Sequence, residues 1–364
     1  MTAPIRVGLI GLGWGKLVHA PAFQAVPSGY LLAGLCARNP ERLQAAAREL
    51  AVPVAETDWE RFVRRDDLDL IAVAGPADSH AAMTVAALRA GKHVYCEKPI
   101  AVDEAEARAV RDFAEASGLQ HATGFELRWQ ADRLAIWEKV RAGYLGKPYF
   151  FRMTQSWNWG HPTCPPQPAW KYRRAGGMGY LSSMLVHDID FLVALFGEPS
   201  AVAADVHNSI SRVRMPDGSM IASDIDDTTT LLLRFDSGMV ATINCSVVGV
   251  HMREYRIELF GEDAAITDWS EDGARFALCA GKAGDDGLLP MPESTRQPVA
   301  GPITQTHRSA SKIRAMALML EDWRPAFDGL PTPLPIPTLR DGWRAQYIID
   351  AAFRSSGGEG WVTL

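Results

Sequence analysis

Through the first 125 residues, short apolar runs alternate with longer amphipathic stretches. Residues 5–10 form an apolar run ending in glycines, the mark of a buried strand entering a tight turn. Residues 30–36 form a second. After it, Asn39-Pro40-Glu41 sets an N-cap before a proline at the first helical position, predicting a helix through Leu50. Residues 68–74 read as a third strand. Ser79 is placed to cap a helix to Arg89, Gly91 stops it, and Val94-Tyr95-Cys96 is the next strand. Asp103 and Glu106 have the spacing of a capping box, for a helix that runs to Ser117 and ends at Gly118. Strands and helices alternating at this interval predict a doubly wound parallel sheet with right-handed crossovers, an α/β Rossmann domain over residues 1–125.

The pattern changes at residue 126. A helix over 132–142 and a strand over 149–156 precede an aromatic, proline-rich stretch over 157–170. Gly176-Gly177-Met178-Gly179 then opens a long helix ending at Gly197. Two β-rich runs, 228–235 and 239–248, are joined by Asp236-Ser237-Gly238, a hairpin signal, and residues 255–260 add another strand. Residues 126–364 are therefore expected to form a C-terminal α/β domain. Its large, mostly antiparallel open sheet would have helices on one face. Residues 271–312 read as a long surface excursion. A last helix over 339–353 is expected to pack back near the first domain.

Composition narrows the class. The chain has 364 residues, 47% hydrophobic and 22% charged, which excludes disorder and suits two domains. A net charge of -6 argues against nucleic acid or an anionic membrane as the main partner. Cysteines 36, 96, 164, 245 and 279 are odd in number and lack a C-x-x-C, a pattern of reduced thiols with no zinc site. No apolar run approaches the ~18 residues that cross a bilayer. The N-terminal run is broken by glycines and has no basic region before it, so a secretory signal is not expected. Together these point to the cytoplasm. Residues 1–40 carry no Asp or Glu, only the bases Arg6, Lys16 and Arg38.

That acid-free opening matters at the loop Gly11-Leu12-Gly13-Trp14-Gly15-Lys16, which lies between a predicted strand and a predicted helix. Glycines there bring backbone close to a pyrophosphate at a helix N-terminus, although the third glycine comes one place early. An acid after the second strand would bind the ribose 2′-OH of NAD; this chain has Cys36-Ala37-Arg38-Asn39 instead. Arg38 is suited to a 2′-phosphate, which favours NADP over NAD. The plainer reading has Arg38 stacking on adenine or facing solvent.

Residues 75–80 read Gly-Pro-Ala-Asp-Ser-His, and residues 91–99 read Gly-Lys-His-Val-Tyr-Cys-Glu-Lys-Pro. With residues 11–19, Gly124-Phe125 and Arg128, and a glycine-led helix containing His187 and Asp190, the chain resembles the Gfo/Idh/MocA oxidoreductases along nearly its whole length. The resemblance implies hydride transfer between a nicotinamide and a hydroxyl-bearing carbon of a sugar, cyclitol or related polyol. It places Gly11, Gly13, Trp14, Gly15, Lys16, Ala37, Arg38, Pro76, His80, Glu97 and Lys98 at the cofactor, with His19 nearby. It implies a small-molecule substrate and a homodimer or homotetramer built through the C-terminal sheet.

Lys98 follows a strand at the sheet edge where ligands sit, and an ammonium there stabilises charge developing on a reacting oxygen. Its plainer reading is a surface lysine before a structural proline. Glu97 is expected to orient the neighbourhood and Pro99 to set the backbone, with a cis bond as one way of doing so. Tyr180, Ser183, His187 and Asp190 are spaced three, four and three apart, which puts them on one helix face. His187 is the natural proton carrier, Ser183 and Tyr180 its assistants, and the alternative for His187 is a satisfied core histidine. Family members usually have Asp four residues before this His and Gly two before; here Ser183 and Leu185 stand there. Glu126 replaces the family's Asn. These departures leave open a second reading, a regulatory member that senses the dinucleotide and acts through protein contacts. A third is an enzyme that keeps its cofactor bound. Arg128, Trp157 and Trp170 are candidate substrate contacts, the aromatic stretch being equally suited to packing on a neighbouring subunit. The acids at 224, 226 and 227 read as a solvated turn, and no metal is expected.

Overall fold

The computed structural model describes residues 3–251, 253–270, 277–298 and 309–364. They form two compact units, Met1–Ala131 with Thr295–Arg344, and Asp132–Ser294 with Ala345–Leu364.

The first unit holds six strands: β1 (Ile5–Ile10), β2 (Tyr30–Cys36), β3 (Val54–Glu56), β4 (Leu70–Val73), β5 (His93–Cys96) and β6 (His121–Thr123). All neighbours are parallel and the order is β3-β2-β1-β4-β5-β6, the doubly wound arrangement. β1, β4 and β5 read as near-continuous apolar runs because helices cover both faces of such a sheet. The order reverses between β1 and β4, which opens a crevice beyond their carboxyl ends.

The helices between the strands of this unit are α1 (Ala20–Gln24), α2 (Pro40–Glu49), α3 (Trp59–Val63), α4 (His80–Arg89) and α5 (Glu104–Ser117). Capping sets two of them as expected. The Asn39 side chain accepts from the Arg42 N–H, and Asp103 accepts from the Glu106 N–H while Glu106 accepts from Val102 N–H. Each such cap contributes about 1 kcal/mol. Gly118 closes α5 at φ 68°. Ser79 caps nothing: its hydroxyl donates to the Pro76 carbonyl, and α4 starts only after a 3₁₀ turn. β3 and α3 lie outside the predicted pattern, being short and only half buried in the strand's case.

The larger correction concerns 271–312. Residues 271–276 and 299–308 lie outside the described residues, but 277–282 is a strand and a buried helix begins at Ala310. That helix is buried on most of its circumference, so it lacks the one-sided stripe that announces a surface helix. Tyr30 donates to its Leu320 carbonyl at 3.0 Å and the Trp129 indole to its Asp322 at 2.8 Å, which ties it to the first unit.

In the second unit come α6 (Ala131–Arg141), β7 (Pro148–Ser156), α7 (Val186–Phe196) and β8 (Ala201–His207), followed by a two-stranded arm of β9 (Arg212–Arg214) and β10 (Met220–Ala222). Next are β11 (Thr228–Arg234), β12 (Val240–Ser246), β13 (Glu254–Gly261), β14 (Ala264–Ser270), β15 (Ala277–Lys282) and β16 (Leu289–Pro290). After α8 (Ala310–Trp323) and α9 (Leu339–Arg354) the chain closes with β17 (Val362–Thr363). The large sheet runs β16-β15-β14-β13-β7-β12-β11-β8-β17 and is antiparallel throughout except between β7 and β12. The predicted hairpin joins β11 to β12, with Gly238 at φ 87° in its turn. Burial alternates along both strands, so one face is covered and the other is not. The helical run Arg174–Phe196 is long and apolar enough by composition to cross a bilayer, beyond what the sequence reading allowed. However, 72% of its window is buried inside the protein, as in a core helix.

Candidate active site

The glycine loop fulfils the three roles that a dinucleotide requires. Gly11 turns at φ 105°, where a Cβ would collide with the Ala74 carbonyl oxygen. Above Gly13 there is open space, so backbone there can approach a phosphate closely. A Cβ on Gly15 would meet Leu9 Cδ1 at 3.1 Å, so this glycine serves the close packing of helix on strand. The third glycine's early position coincides with a wide π-turn over Gly15–His19, where an α-helical start was expected. The residues present therefore fit a dinucleotide.

The bases of the acid-free opening recruit acids from later in the chain. Arg6 pairs with Asp69 at 2.6 Å and Lys16 with Glu49 at 2.6 Å, which gives Lys16 a protein partner beside its expected cofactor role. Arg38 is exposed at the end of β2, next to Ala37, and has no ion pair among the described residues.

At the carboxyl ends of β5 and β6 sits a charged cluster. Glu97 is buried, its Oε1 2.7 Å from His19 Nε2, and its Oε2 accepts from the Lys98 N–H at 3.2 Å. Burial pushes the Glu97 carboxyl up, but His19, helped by Lys98 and His80, outweighs it and holds Glu97 below its ordinary range. Glu97 therefore links His19 to the backbone of the Lys98 turn. The Lys98–Pro99 bond is cis. His80 lies between the Pro99 and Gly75 carbonyls, at 2.8 and 3.0 Å, and so ties the segment containing Pro76 to the Lys98 turn.

Glu126, on the turn after β6, is also buried, and its Oε2 has no hydrogen-bond partner. Burial, and then the charge of Glu97, push its carboxyl up to about 7 against the pull of Lys312 and Lys98. The Lys312 ammonium lies 4.9 Å from the centre of the Trp14 ring, bringing α8 to the glycine loop. Neither the ionisation of Glu126 nor the arrival of Lys312 was read from the sequence. Arg128 is buried and paired with Asp341 at 3.1 Å, so it has a protein partner beside the substrate role that the resemblance implies.

The second unit carries the other candidates. Leu181–Leu185 is a π-turn leading into α7, so the expected uninterrupted helix face is broken between Tyr180 and His187. Tyr180 is buried and donates to Gln155 Oε1 at 2.8 Å. Burial drives its phenol well above the ordinary value, opposite to the lowering that a proton donor would need. Ser183 is half-buried and its hydroxyl donates to the Gly179 carbonyl. His187 and Asp190 are buried together on α7.

Beneath them runs a network that the sequence reading missed. Arg133 donates to Asp188, Gln155 donates to Asp188 at 2.9 Å, and the Trp157 indole donates to Gln155 at 3.2 Å. Trp157 is thus joined to Tyr180 through Gln155, whereas Trp170 stands exposed on a separate 3₁₀ turn. The acids at 226 and 227 are not solvated. Asp226 accepts from the Leu181 N–H at 2.7 Å and Asp227 from the N–H groups of Ser209 and Ile210. No group of His, Cys, Asp and Glu able to hold a metal occurs among the described residues.

Comparisons with known proteins agree with this geometry. Residues 5–125 match the family model "Oxidoreductase family, NAD-binding Rossmann fold", and residues 134–267 match "GFO/IDH/MocA C-terminal domain". The chain is 26% identical to levoglucosan dehydrogenase of Pseudarthrobacter phenanthrenivorans, over 99% of this chain and 98% of that protein. It is 29% identical to myo-inositol 2-dehydrogenase of Thermotoga maritima, over 72% and 74% respectively. A solved levoglucosan dehydrogenase in complex with NADH and L-sorbose superposes with a TM-score of 0.84 at 25% identity, covering 100% of this chain and 99% of that one. An oxidoreductase domain protein from Kribbella flavida gives 0.86 at 25% identity over the same shares. The chain is a member of the GFO/IDH/MocA family of oxidoreductases, with that family's NAD-binding Rossmann domain over residues 5–125.

Proposed function

We propose that this oxidoreductase transfers hydride between a nicotinamide dinucleotide and a hydroxyl-bearing carbon of a sugar, cyclitol or related polyol. The observation that carries the reading is the glycine loop with open backbone at Gly13, in the same unit as the Glu97–Lys98 turn. Kinship with a levoglucosan and a myo-inositol dehydrogenase supports the substrate class. The cofactor supplies the hydride acceptor. Lys98 polarises the reacting oxygen, and His187 takes the hydroxyl proton as the carbon becomes a carbonyl. Ser183 assists by hydrogen bonding. Arg128, Trp157 and Trp170 remain substrate contacts in this reading, and residues 126–364 supply substrate binding and oligomerisation. The uncovered sheet face supports a homodimer or homotetramer, and the thiols support a cytoplasmic home. A panel of sugars and cyclitols, assayed at 340 nm, tests the proposal. Cofactor binding with no turnover on any of them would favour a regulatory sensor instead.

Two substitutions separate the parts of this reading. His187→Asn is expected to lower turnover at least about hundredfold with little change in cofactor affinity. Equal loss of both would make His187 a structural residue. We assign the cofactor preference to NADP on Arg38, exposed and without an ion pair among the described residues. Arg38→Ala should weaken NADPH binding about tenfold and NADH binding far less. A uniform loss would mean that Arg38 only stacks on the shared adenine.

A further inference from the structure

Two buried carboxyls, Glu97 and Glu126, lie at the ends of adjacent parallel strands, and they are provided for unequally. Glu97 is satisfied on both oxygens, by His19 and by the Lys98 N–H. Glu126 is 2% exposed and leaves Oε2 without a partner. An unpaired buried carboxyl oxygen costs stability and persists where the site gains something from it. The charged and titratable groups facing it come from every neighbouring element. They are Glu97 and Lys98 on the turn after β5, Tyr95 on β5 and Lys312 on α8, with His19 and His80 acting through Glu97.

We propose that Glu126 is a redox-linked proton site: its carboxyl is ionised while the oxidised cofactor is bound and takes up a proton when the reduced cofactor replaces it. The inference rests on the proposed nicotinamide chemistry and deepens it. An oxidised nicotinamide ring carries a positive charge and a reduced one is neutral. A carboxylate at the carboxyl ends of β5 and β6, where doubly wound sheets bind their ligands, favours the charged form. Burial, with the already ionised Glu97 beside it, raises Glu126 to about 7, so the exchange falls within the physiological range. Glu126 acts on the charge balance around Lys98 and is a positioning residue.

The sign of the effect follows. Below pH 7 Glu126 is protonated and does not distinguish the two redox forms. Above it, the carboxylate holds the oxidised form more tightly. The ratio of dissociation constants, reduced over oxidised, should therefore rise about five- to tenfold between pH 6 and pH 8, as expected for one charge acting across a partly desolvated site. The adenine and phosphates are common to both forms and cancel in the ratio.

The test is cofactor titration by fluorescence or calorimetry at each pH, using whichever of the NAD or NADP pairs binds more tightly. Glu126→Gln should flatten the ratio at the value of the acid limb, and Glu126→Asp should retain a pH-dependent step. A slope that persists in Glu126→Gln, or a flat ratio in the unaltered protein, overturns the inference while leaving the oxidoreductase reading intact. Should Glu126→Gln fail to fold, calorimetry of the unaltered protein at pH 7 in two buffers of different ionisation enthalpy decides. More proton uptake with the reduced cofactor than with the oxidised supports the inference, and equal uptake overturns it. Binding of neither cofactor at any pH would remove the nicotinamide reading itself, a distinct result.

Discussion

Replacing Lys98 by methionine should lower turnover about 10²- to 10³-fold while cofactor dissociation constants stay within about threefold. The expectation comes from what methionine retains and what it removes. It keeps the length and most of the apolar stem, so the cis Lys98–Pro99 turn, the buried Glu97 and the His19 contact retain their packing. It removes the ammonium that would face the oxygen as charge builds there. That interaction grows on the way to the transition state, so its loss falls on turnover more than on affinity. Steady-state kinetics on any accepted polyol, with cofactor titration alongside, checks it. A matching loss of cofactor affinity would assign Lys98 to phosphate or ribose binding instead. A fall of less than about fivefold would remove it from the chemistry altogether.

Arg133→Met should be the most destabilising single change in the second unit, costing about 3–5 kcal/mol. Arg133 and Asp188 are both almost fully buried, and they face each other with Gln155 completing the carboxylate's hydrogen bonds. Even with its partner, Asp188 is raised above the ordinary carboxylate range, because burial outweighs the pull of Arg133. Without Arg133 it would be raised further and protonated in the folded state. A carboxyl whose folded pKa is raised loses stability as pH climbs from its unfolded value through the folded one. The deficit of the variant should therefore narrow toward pH 5 and widen toward pH 8, measured by urea unfolding. Adding Asp188→Leu should recover much of the loss, since an apolar pair of similar volume avoids the uncompensated charge. No recovery would mean that the guanidinium stabilises mainly through the Phe191 ring, which it overlies at 5.0 Å, and the Tyr255 hydroxyl.

How much of this was readable beforehand depended on whether the physics was local. The Asn39 and Asp103 caps, the Gly238 hairpin and the strand-helix alternation depend on neighbours a few residues apart, and sequence spacing carries that information. α8 depends on what surrounds it. A helix buried around most of its circumference shows no polar stripe, and the Gly- and Pro-rich residues before it disguised the segment as loop. Charge partners were equally hidden. Glu126 was noticed only as a departure from the family pattern, since its raised carboxyl comes from burial in the folded chain and from Glu97, 29 positions earlier, folded against it. Likewise Arg133 sits in an unremarkable helix until Asp188 is placed opposite. The π-turns at residues 15–19 and 181–185 escaped because a helix that widens for one turn keeps the same composition as one that does not.

The second of those wide turns bears on what position 183 can carry. Ser183 donates its hydroxyl proton to the Gly179 carbonyl, and Gly179 in turn lies at φ 129° against the Asp226 carboxylate that holds the Leu181 N–H. The side chain at position 183 thus gives its proton to the backbone of the preceding turn. An aspartate there, once ionised, only accepts, and would offer no proton to a carbonyl that also only accepts. Ser183→Asp therefore removes the hydrogen bond that joins this side chain to the Gly179 carbonyl. The hydroxyl thus fastens position 183 to the start of the wide turn, and a side chain that cannot donate leaves the Gly179 carbonyl to find another partner.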